Sequence, residues 1–566
     1  MRRRSAAVIY GVLLALRVLL AAQPAYIHPD EFLQMPEIAA GDLLSLDVMR
    51  TWEFVTAQPI RSILPIYVFS GPPLLLLRLL RDYIGIPLSA TNLFMATRGF
   101  TALLSLLVDY NVYCALRRSN KGAAGLRPTM FLLASSYCLC VFHTRSFANT
   151  YASVVLAICF NLLSDIEARK TDKVSWSRYK TIVMLGGLLA FGCFVHISFA
   201  MFALPIGITA ILLIGFSDTP WLILGGLCTA TLAITSDYLY YGKPVLTILN
   251  NLRYNSSTSN LALHGTHPRY LHLLVSMPTL FGPLLFLAIG QLWTTIKNRR
   301  NQTHTSLLGR CAAASVFCGL GFLSLAPHQE PRFMVPALSP LAIASWRWHR
   351  VAPRYFWWLW AIFNLILAIA YGVVHQAGVL PTTIHISKTS VFPSPICHPI
   401  QQPSPDVFCK QQQQQKDALE STTNWTEANV TTNVFFYASF PMPRHLLTQP
   451  KLRTTDHGFS RVRVTDLVMM SDIEVRNKLD AQPLVQCSSI SDNLSLVFTQ
   501  TGNSFYERSL LAVPATADLS RIKPSGSLTL IPVFTYSPHV NFDHIAELLQ
   551  NPISRSSFYL YLMCQR

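Results

Sequence analysis

"AAVIYGVLLALRVLLAAQPAYIHPDEFLQMPE", residues 6–37, runs from an apolar stretch about one bilayer long into a turn that opens on two adjacent carboxylates, Asp30 and Glu31. A helix needs roughly 20 apolar residues to cross about 30 Å of hydrocarbon. Comparable runs recur at 61–80, 90–116, 128–143, 147–164, 181–216 (long enough for two), 219–240, 272–295, 307–326, 333–346 and 355–375. They do not alternate as the strands of an outer-membrane barrel do. Of the 566 residues, 51% are apolar and only 13% charged, and the mean hydropathy is positive, which excludes the usual soluble classes. The fold class is therefore an all-α polytopic membrane protein, with about 9–12 membrane helices, followed by a smaller strand-rich C-terminal domain.

The formal charge of +17 is not spread as a nucleic-acid surface would be. It sits in short connectors: "MRRR" at the start, 117–127, 167–180, "KNRR" at 297–300 and 346–354. Such clusters hold loops in the cytosol, and no interleaved aromatic and basic face accompanies them, so a nucleic-acid partner is excluded. The first run has the outline of a signal peptide, but the many spans after it predict a retained anchor. Its start is then cytosolic and the "HPDE" turn lumenal. Strict alternation from that turn puts either 81–89 or 117–127 on the wrong side, so one run must be re-entrant or interfacial. "APHQEPRF" (326–333) and everything after about 375 fall on the lumenal side.

Three regions follow. Residues 1–375 form the multi-span domain, with the first lumenal loop, 23–60, as its catalytic part. A Pro/Gln-rich linker, 376–420, includes the run Gln411–Gln415. Residues 421–566 alternate apolar and polar positions between turn formers, as half-buried strands do, with a short helix expected near "HIAELLQ". The tail after 375 as a whole holds sequons at Asn424, Asn429 and Asn493 and the cysteines Cys397, Cys409, Cys487 and Cys564. Two disulfides are allowed there, in any of three pairings. The sequon at Asn301 falls in a loop read as cytosolic and is expected to stay unused; Asn255 is left open. The remaining cysteines lack metal-ligand spacing and read as buried residues.

Pro29 followed by two acids is how many helices begin, because acids favour the positive end of the helix dipole. The stretch from His28 to Arg61, however, also contains Gln34, Glu37, Asp42, Asp47 and Glu53. That density of ionisable groups beside a membrane suits chemistry on a lipid-linked substrate. A transporter also places charges near the bilayer, but transporters are commonly built from repeated halves, and no repeat of the motif occurs here.

"HPDEFLQMPE" (28–37) resembles the first-loop signature of the GT-C mannosyltransferases that use dolichyl-phosphate mannose, the group containing the asparagine-glycan and GPI-anchor enzymes. "TWEF" (51–54), "RSILP" (61–65), "TRSFANT" (144–150) and "PHQEPRF" (327–333) follow in the family's order, and the resemblance covers about residues 1–375. At 264–283, "HGTHPRYLHLLVSMPTLFGP" lacks the Trp-rich pattern of the asparagine-glycan enzymes and resembles the branch that adds a fourth mannose to GPI precursors. The resemblance implies an ER membrane enzyme with a lumenal site, a dolichyl-phosphate mannose donor, a GPI glycolipid acceptor and an α-1,2 product formed with inversion. Other acceptors within the family, a GPI carrying two mannoses or the asparagine-glycan precursor, stay open.

Such a reaction needs one carboxylate to take the acceptor hydroxyl's proton, and cations or donors to receive the charge growing on phosphate. Asp30 is the expected base, with Glu31 the alternative or the group that orients the acceptor. His28, Gln34, Glu53, Arg61, Arg145, His267, Arg269, His328, Glu330 and Arg332 are the candidates for binding donor phosphate or acceptor. Each has a plainer reading: Arg145 as an interfacial anchor, Arg332 as an ion pair with Glu330, Glu53 as a solvated loop acid. His196, His264 and His272 read as satisfied structural residues. No DxD, HxxxH or CxxC pattern with metal spacing occurs, so neither an obligatory metal or cofactor nor a required protein subunit is expected.

Overall fold

Proline and glycine decide which apolar runs become uninterrupted helices. The computed structural model describes residues 3–119, 126–170, 176–297, 306–390, 429–451, 460–468, 470–482, 484–487, 499–502, 505–522 and 528–565. Among them six helices are long and apolar enough to cross a membrane, Ala90–Ser119, Ala148–Ala168, Trp176–Val195, Phe199–Tyr241, Leu307–Leu325 and Arg354–Val374, and a seventh is counted if a bent pair is one span. Phe199–Tyr241, 43 residues long, takes in two of the expected runs, and the first run is the unbroken helix Arg3–Ala21. Several of the other runs are divided.

The run 61–80 shows the effect most clearly. Pro65 and the sequence Gly71–Pro72–Pro73 split it into Leu64–Phe69 and Gly71–Leu79, because proline has no N–H to donate and clashes with the preceding turn. Nine residues of helix reach only about 14 Å. Arg78, near the end of the second piece, donates to the Leu43 carbonyl of the first loop at 3.3 Å. The end of the run thus lies beside the first loop, so 61–80 is the re-entrant or interfacial element that alternation demanded. With it in place, 81–89 lies on the face of the first loop and Arg117 and Arg118 on the opposite one.

Three further runs are interrupted. Residues 126–144 form Leu126–Ser135, Tyr137–Cys140 and a 3-10 turn, Phe142–Thr144. The run 181–216 breaks at 196–198, and Gly215 (φ 74°) breaks Phe199–Tyr241 again, a conformation glycine adopts without steric cost. The pair 272–281 and 284–293 is bent by 117°. At the bend Gly282 has φ 43°, and a Cβ there would come within 2.5 Å of the Phe363 ring.

The basic connectors gather at the end away from the first loop, where Arg178 pairs with Asp218 at 2.9 Å and Arg118 and Arg169 approach Asp165 at 3.5 and 3.1 Å. Helices Trp176–Val195 and Phe199–Tyr241 touch backbone to backbone. A Cβ on Gly186 or Gly225 would lie 1.9 Å from the carbonyl oxygen of Leu222 or Val183, a contact only small residues allow.

Among the described residues the C-terminal region forms a mixed sheet of seven strands: β1 Asn429–Phe436, β2 Ser460–Asp466, β3 Val485–Gln486, β4 Thr499–Gly502, β5 Phe505–Pro514, β6 Leu528–Tyr536 and β7 Phe558–Gln565. Its path is β2-β1-β5-β7-β3, with β4 on β5 and β6 on β7. β1 runs parallel to both β2 and β5, and β7 is antiparallel to β5 and β6. Ile545–Gln550 is helical, where "HIAELLQ" predicted it. A disulfide joins Cys487 to Cys564. Cys397, Cys409, Asn424 and Asn493 lie outside the described residues, and Asn429 opens β1.

The expected linker 376–420 starts as structure. Val379–Ser390 is a helix whose Val379, Leu380 and Ile386 belong to the core of the membrane region; from 391 to 428 the stretch lies outside the described residues. The sheet region also grips the first loop. The Asp47 N–H donates to the Gln449 carbonyl at 2.7 Å and the Lys451 N–H to the Ser45 carbonyl at 2.9 Å. The buried Glu37 carboxylate accepts from the His445 backbone N–H at 3.2 Å and pairs with its imidazole. Phe440 sets its ring 5.5 Å from Tyr26 and 6.2 Å from His28. The catalytic-loop candidate is therefore built from both ends of the chain.

Candidate active site

Asp30–Leu33 is a single helical turn begun by Pro29. Successive residues on a helix diverge by about 100°, so Asp30 and Glu31 face different surroundings. The Asp30 side chain keeps 23% of its surface exposed; that of Glu31 keeps none.

Around Asp30 the structure assembles residues from three distant segments. Gln34 Nε2 donates to its carboxylate at 2.6 Å, and the Arg332 guanidinium donates to the same oxygen. Arg332 also donates through Nε to Glu330, so one guanidinium bridges two carboxylates. His28 lies between the same two acids, with Nδ1 at 3.7 Å from Asp30 and Nε2 at 3.6 Å from Glu330. His328 bonds Glu330 through Nε2 at 2.8 Å and the Gly265 carbonyl through Nδ1 at 3.1 Å. Both partners only accept, so both ring nitrogens carry protons and the ring is an imidazolium.

The charges follow from these contacts. Burial alone would raise the Asp30 carboxyl, but Arg332 outweighs it and holds the group below the usual aspartate range. Glu330 is held well below its usual range for the same reason: burial opposes, and Arg332 and His328 prevail. The His328 hydrogen bond to Glu330 raises the ring's pKa, while burial and then Arg332 lower that of His28. The result is two ionised carboxylates, one cationic and one neutral histidine, all partly open to solvent, around one shared and buried arginine.

Glu31 lies in a second, sealed cluster. Arg98 Nε donates to it at 2.6 Å, and Arg145 Nε stands 3.8 Å away. Arg98 also caps the carbonyls of Gln23 and Ala25, and Arg145 those of Leu20 at 3.2 Å and Gly372 at 3.5 Å. All three side chains are at most 1% exposed.

A model of the Alg9-like mannosyltransferase family matches residues 8–394. The chain belongs to that family. GPI mannosyltransferase 4 of Schizosaccharomyces pombe is 27% identical over 567 residues, covering 97% of this chain and 94% of that protein. GPI mannosyltransferase 4 of Emericella nidulans is 34% identical over 396 residues, 67% of this chain and 68% of the relative. That of Saccharomyces cerevisiae is 31% identical over 380 residues, 65% and 69%. Among solved structures, ArnT from Cupriavidus metallidurans bound to undecaprenyl phosphate superposes with TM-score 0.47 at 14% identity, covering 68% of this chain and 66% of ArnT. The protein is a membrane-embedded mannosyltransferase.

In this Alg9-like mannosyltransferase the expected site residues divide into four groups. His28, Asp30, Gln34, His328, Glu330 and Arg332 form one cluster. Glu53 and Arg61 pair with each other at 2.8 Å beside it, near enough for Arg61 to lower the Asp30 pKa. Glu31 and Arg145, expected near the chemistry, are instead spent inside the fold. The loop 264–271 serves as a tie: the His267 N–H donates to the Pro327 carbonyl at 2.9 Å, its Nδ1 accepts from the Gln329 N–H at 3.3 Å, and Arg269 donates to the Leu325 carbonyl.

Two residues of the site escaped the sequence. His196, read as a core residue, sits at the helix break and is held neutral: burial, Arg61 and Arg332 lower its pKa to about 3. Its Nδ1 bonds the Ser198 hydroxyl at 2.7 Å. The break was detectable, since His and Ser interrupt a run too long for one span. Arg98, in the middle of Ala90–Ser119, also signals a buried acid, because a lone cation in a span needs a partner. Among the described residues no group of three or more His, Cys, Asp or Glu is arranged to hold a metal ion.

Proposed function

We propose that the protein transfers mannose from dolichyl-phosphate mannose to a GPI-anchor precursor on the lumenal side of the ER membrane, adding the fourth mannose in α-1,2 linkage to the third. The names of its relatives favour this acceptor. The observation that carries the mechanism is Asp30: an ionised, solvent-reachable carboxylate beside two arginines, at the face opposite the basic loops. On the positive-inside rule that face is lumenal. The sequons at Asn424, Asn429 and Asn493 then face the same compartment and are expected to carry glycans.

In the reaction the acceptor oxygen bonds to the anomeric carbon as the carbon–oxygen bond to phosphate breaks. The phosphate leaves with the electron pair, and the hydroxyl proton passes to Asp30. Attack from the face opposite the leaving group inverts the configuration. Arg332 and Arg61 supply positive charge for the departing phosphate. Because phosphate needs no protonation to leave, a second acid is unnecessary, unlike in glycoside hydrolysis. The reaction is therefore proposed to need no metal, and full activity after chelation is the expected result.

The test uses microsomes with labelled dolichyl-phosphate mannose and a GPI precursor bearing three mannoses. Asp30→Asn is expected to lower transfer by about 10²–10⁴-fold at equal protein abundance. Equal transfer by both proteins would remove Asp30 from the mechanism, and wild-type transfer only to a two-mannose precursor would move the acceptor.

A further inference from the structure

We propose that Trp52, Tyr254 and His264 form a platform on which a sugar ring of the acceptor glycan stacks, outside the reacting centre. The inference rests on reading the protein as a glycan mannosyltransferase.

Trp52 begins the one-turn helix Trp52–Val55 and remains 38% exposed, although indole is among the side chains that gain most from burial. Its ring lies 4.6 Å from Tyr254 and 5.9 Å from His264, inclined by 33° and 28°. The Tyr254 hydroxyl and His264 Nε2 bond at 2.8 Å, which fixes the two rings packed against the indole while Trp52 keeps its 38% exposure. The ladder then continues inward. His264 is 5.7 Å from His328, and His328 bonds the Glu330 that shares Arg332 with Asp30. Beside Trp52 in the chain, Glu53 holds Arg61.

A pyranose has a face of C–H groups and an edge of hydroxyls. An indole presents a flat, electron-rich surface to the first at low entropic cost, since it has only two rotatable side-chain bonds. Glu53 and Arg61, both partly exposed, offer an acceptor and donors to the second. A lipid tail would need an apolar surface, and this one alternates rings with His, Glu and Arg. The path from Trp52 to Asp30 therefore fits a mannose-rich oligosaccharide whose terminal hydroxyl meets the base while a neighbouring ring rests on the indole.

The full-length protein in detergent decides it by two measurements. In transfer assays Trp52→Ala is expected to raise the acceptor KM about tenfold, the equivalent of about 1.4 kcal/mol of binding, with kcat falling less than KM rises and donor KM unchanged. Trp52→Phe, which keeps a ring face, is expected to recover most of the loss. By saturation-transfer NMR, mannotriose is expected to bind the wild type and to lose its signal in Trp52→Ala. If that variant does not accumulate, His264→Ala carries the same comparison. Unchanged acceptor KM and unchanged mannotriose signal would overturn the platform. A wild type that binds mannotriose through Trp52 but transfers to no GPI glycan would sink the proposed function and leave the platform standing.

Discussion

Asp30 and Glu31 are neighbours on one turn, and each is held by arginine, but the two clusters do opposite things. The Asp30 cluster draws its partners from loops, at His28, Glu330 and Arg332, and keeps solvent access. The Glu31 cluster draws Arg98 from a membrane helix and Arg145 from a buried turn, and uses their remaining N–H groups to cap carbonyls. Access, not residue type, separates the two carboxylates, and it is why Asp30 rather than Glu31 is proposed as the base. Buried ion pairs of the second kind add little net stability but are costly to break.

Exchanging the two positions tests that division most severely. Glu31→Gln removes the counter-charge from two buried arginines, and a loss of about 3–5 kcal/mol is expected, seen as a fall in thermal midpoint and membrane abundance. Transfer per folded molecule is expected to change far less. Asp30→Asn is expected to do the reverse, because Arg332 still has Glu330. Should Glu31→Gln fold normally and lose turnover, the two clusters would have to be reassigned.

The same comparison shows what the sequence could reveal. The all-helical membrane class and the strand-rich end region were legible from apolar run length and alternation. Which of two adjacent acids faces outward was not, because it depends on how one short helical turn packs against Arg98, 67 positions further on. The directions of Arg145 and Arg269 were hidden for a related reason. A motif places a side chain near a site, but its direction is set by carbonyls elsewhere, at Leu20 and Leu325. The break at 196–198 followed from a run too long for one span, and the special character of 61–80 from combining proline positions with the count of crossings.

A smaller change sharpens the picture of the open cluster. Arg332 serves Asp30 with one nitrogen and Glu330 with another, a geometry that uses the planar fork. Lysine keeps the charge and loses the second contact. Arg332→Lys is expected to lower kcat/KM by about 10–100-fold, the range for losing part of a charged hydrogen-bonded contact, with thermal stability nearly unchanged. Wild-type kinetics in this variant would mean that charge alone, without the fork, positions Asp30 and receives the phosphate.

The least effect expected, and the most diagnostic in sign, concerns the two histidines of the open cluster. His328 has a raised folded pKa, so the native state binds the proton more tightly than the unfolded chain. Its contribution is fully present below the unfolded value of about 6.5 and is lost as pH rises through the folded value. His28 has a lowered pKa, so the unfolded chain binds the proton more tightly, and stability declines as pH falls below the same value. Thermal midpoints of wild type, His328→Asn and His28→Asn at pH 6 and pH 8.5 are expected to show opposite slopes. The deficit of His328→Asn should be larger at the lower pH, by about 1 kcal/mol or less, whereas replacing His28 should remove a penalty there. Slopes of the same sign would show that Glu330 does not hold His328 as an imidazolium, and the open cluster would then carry one positive charge fewer beside Asp30 than its geometry requires.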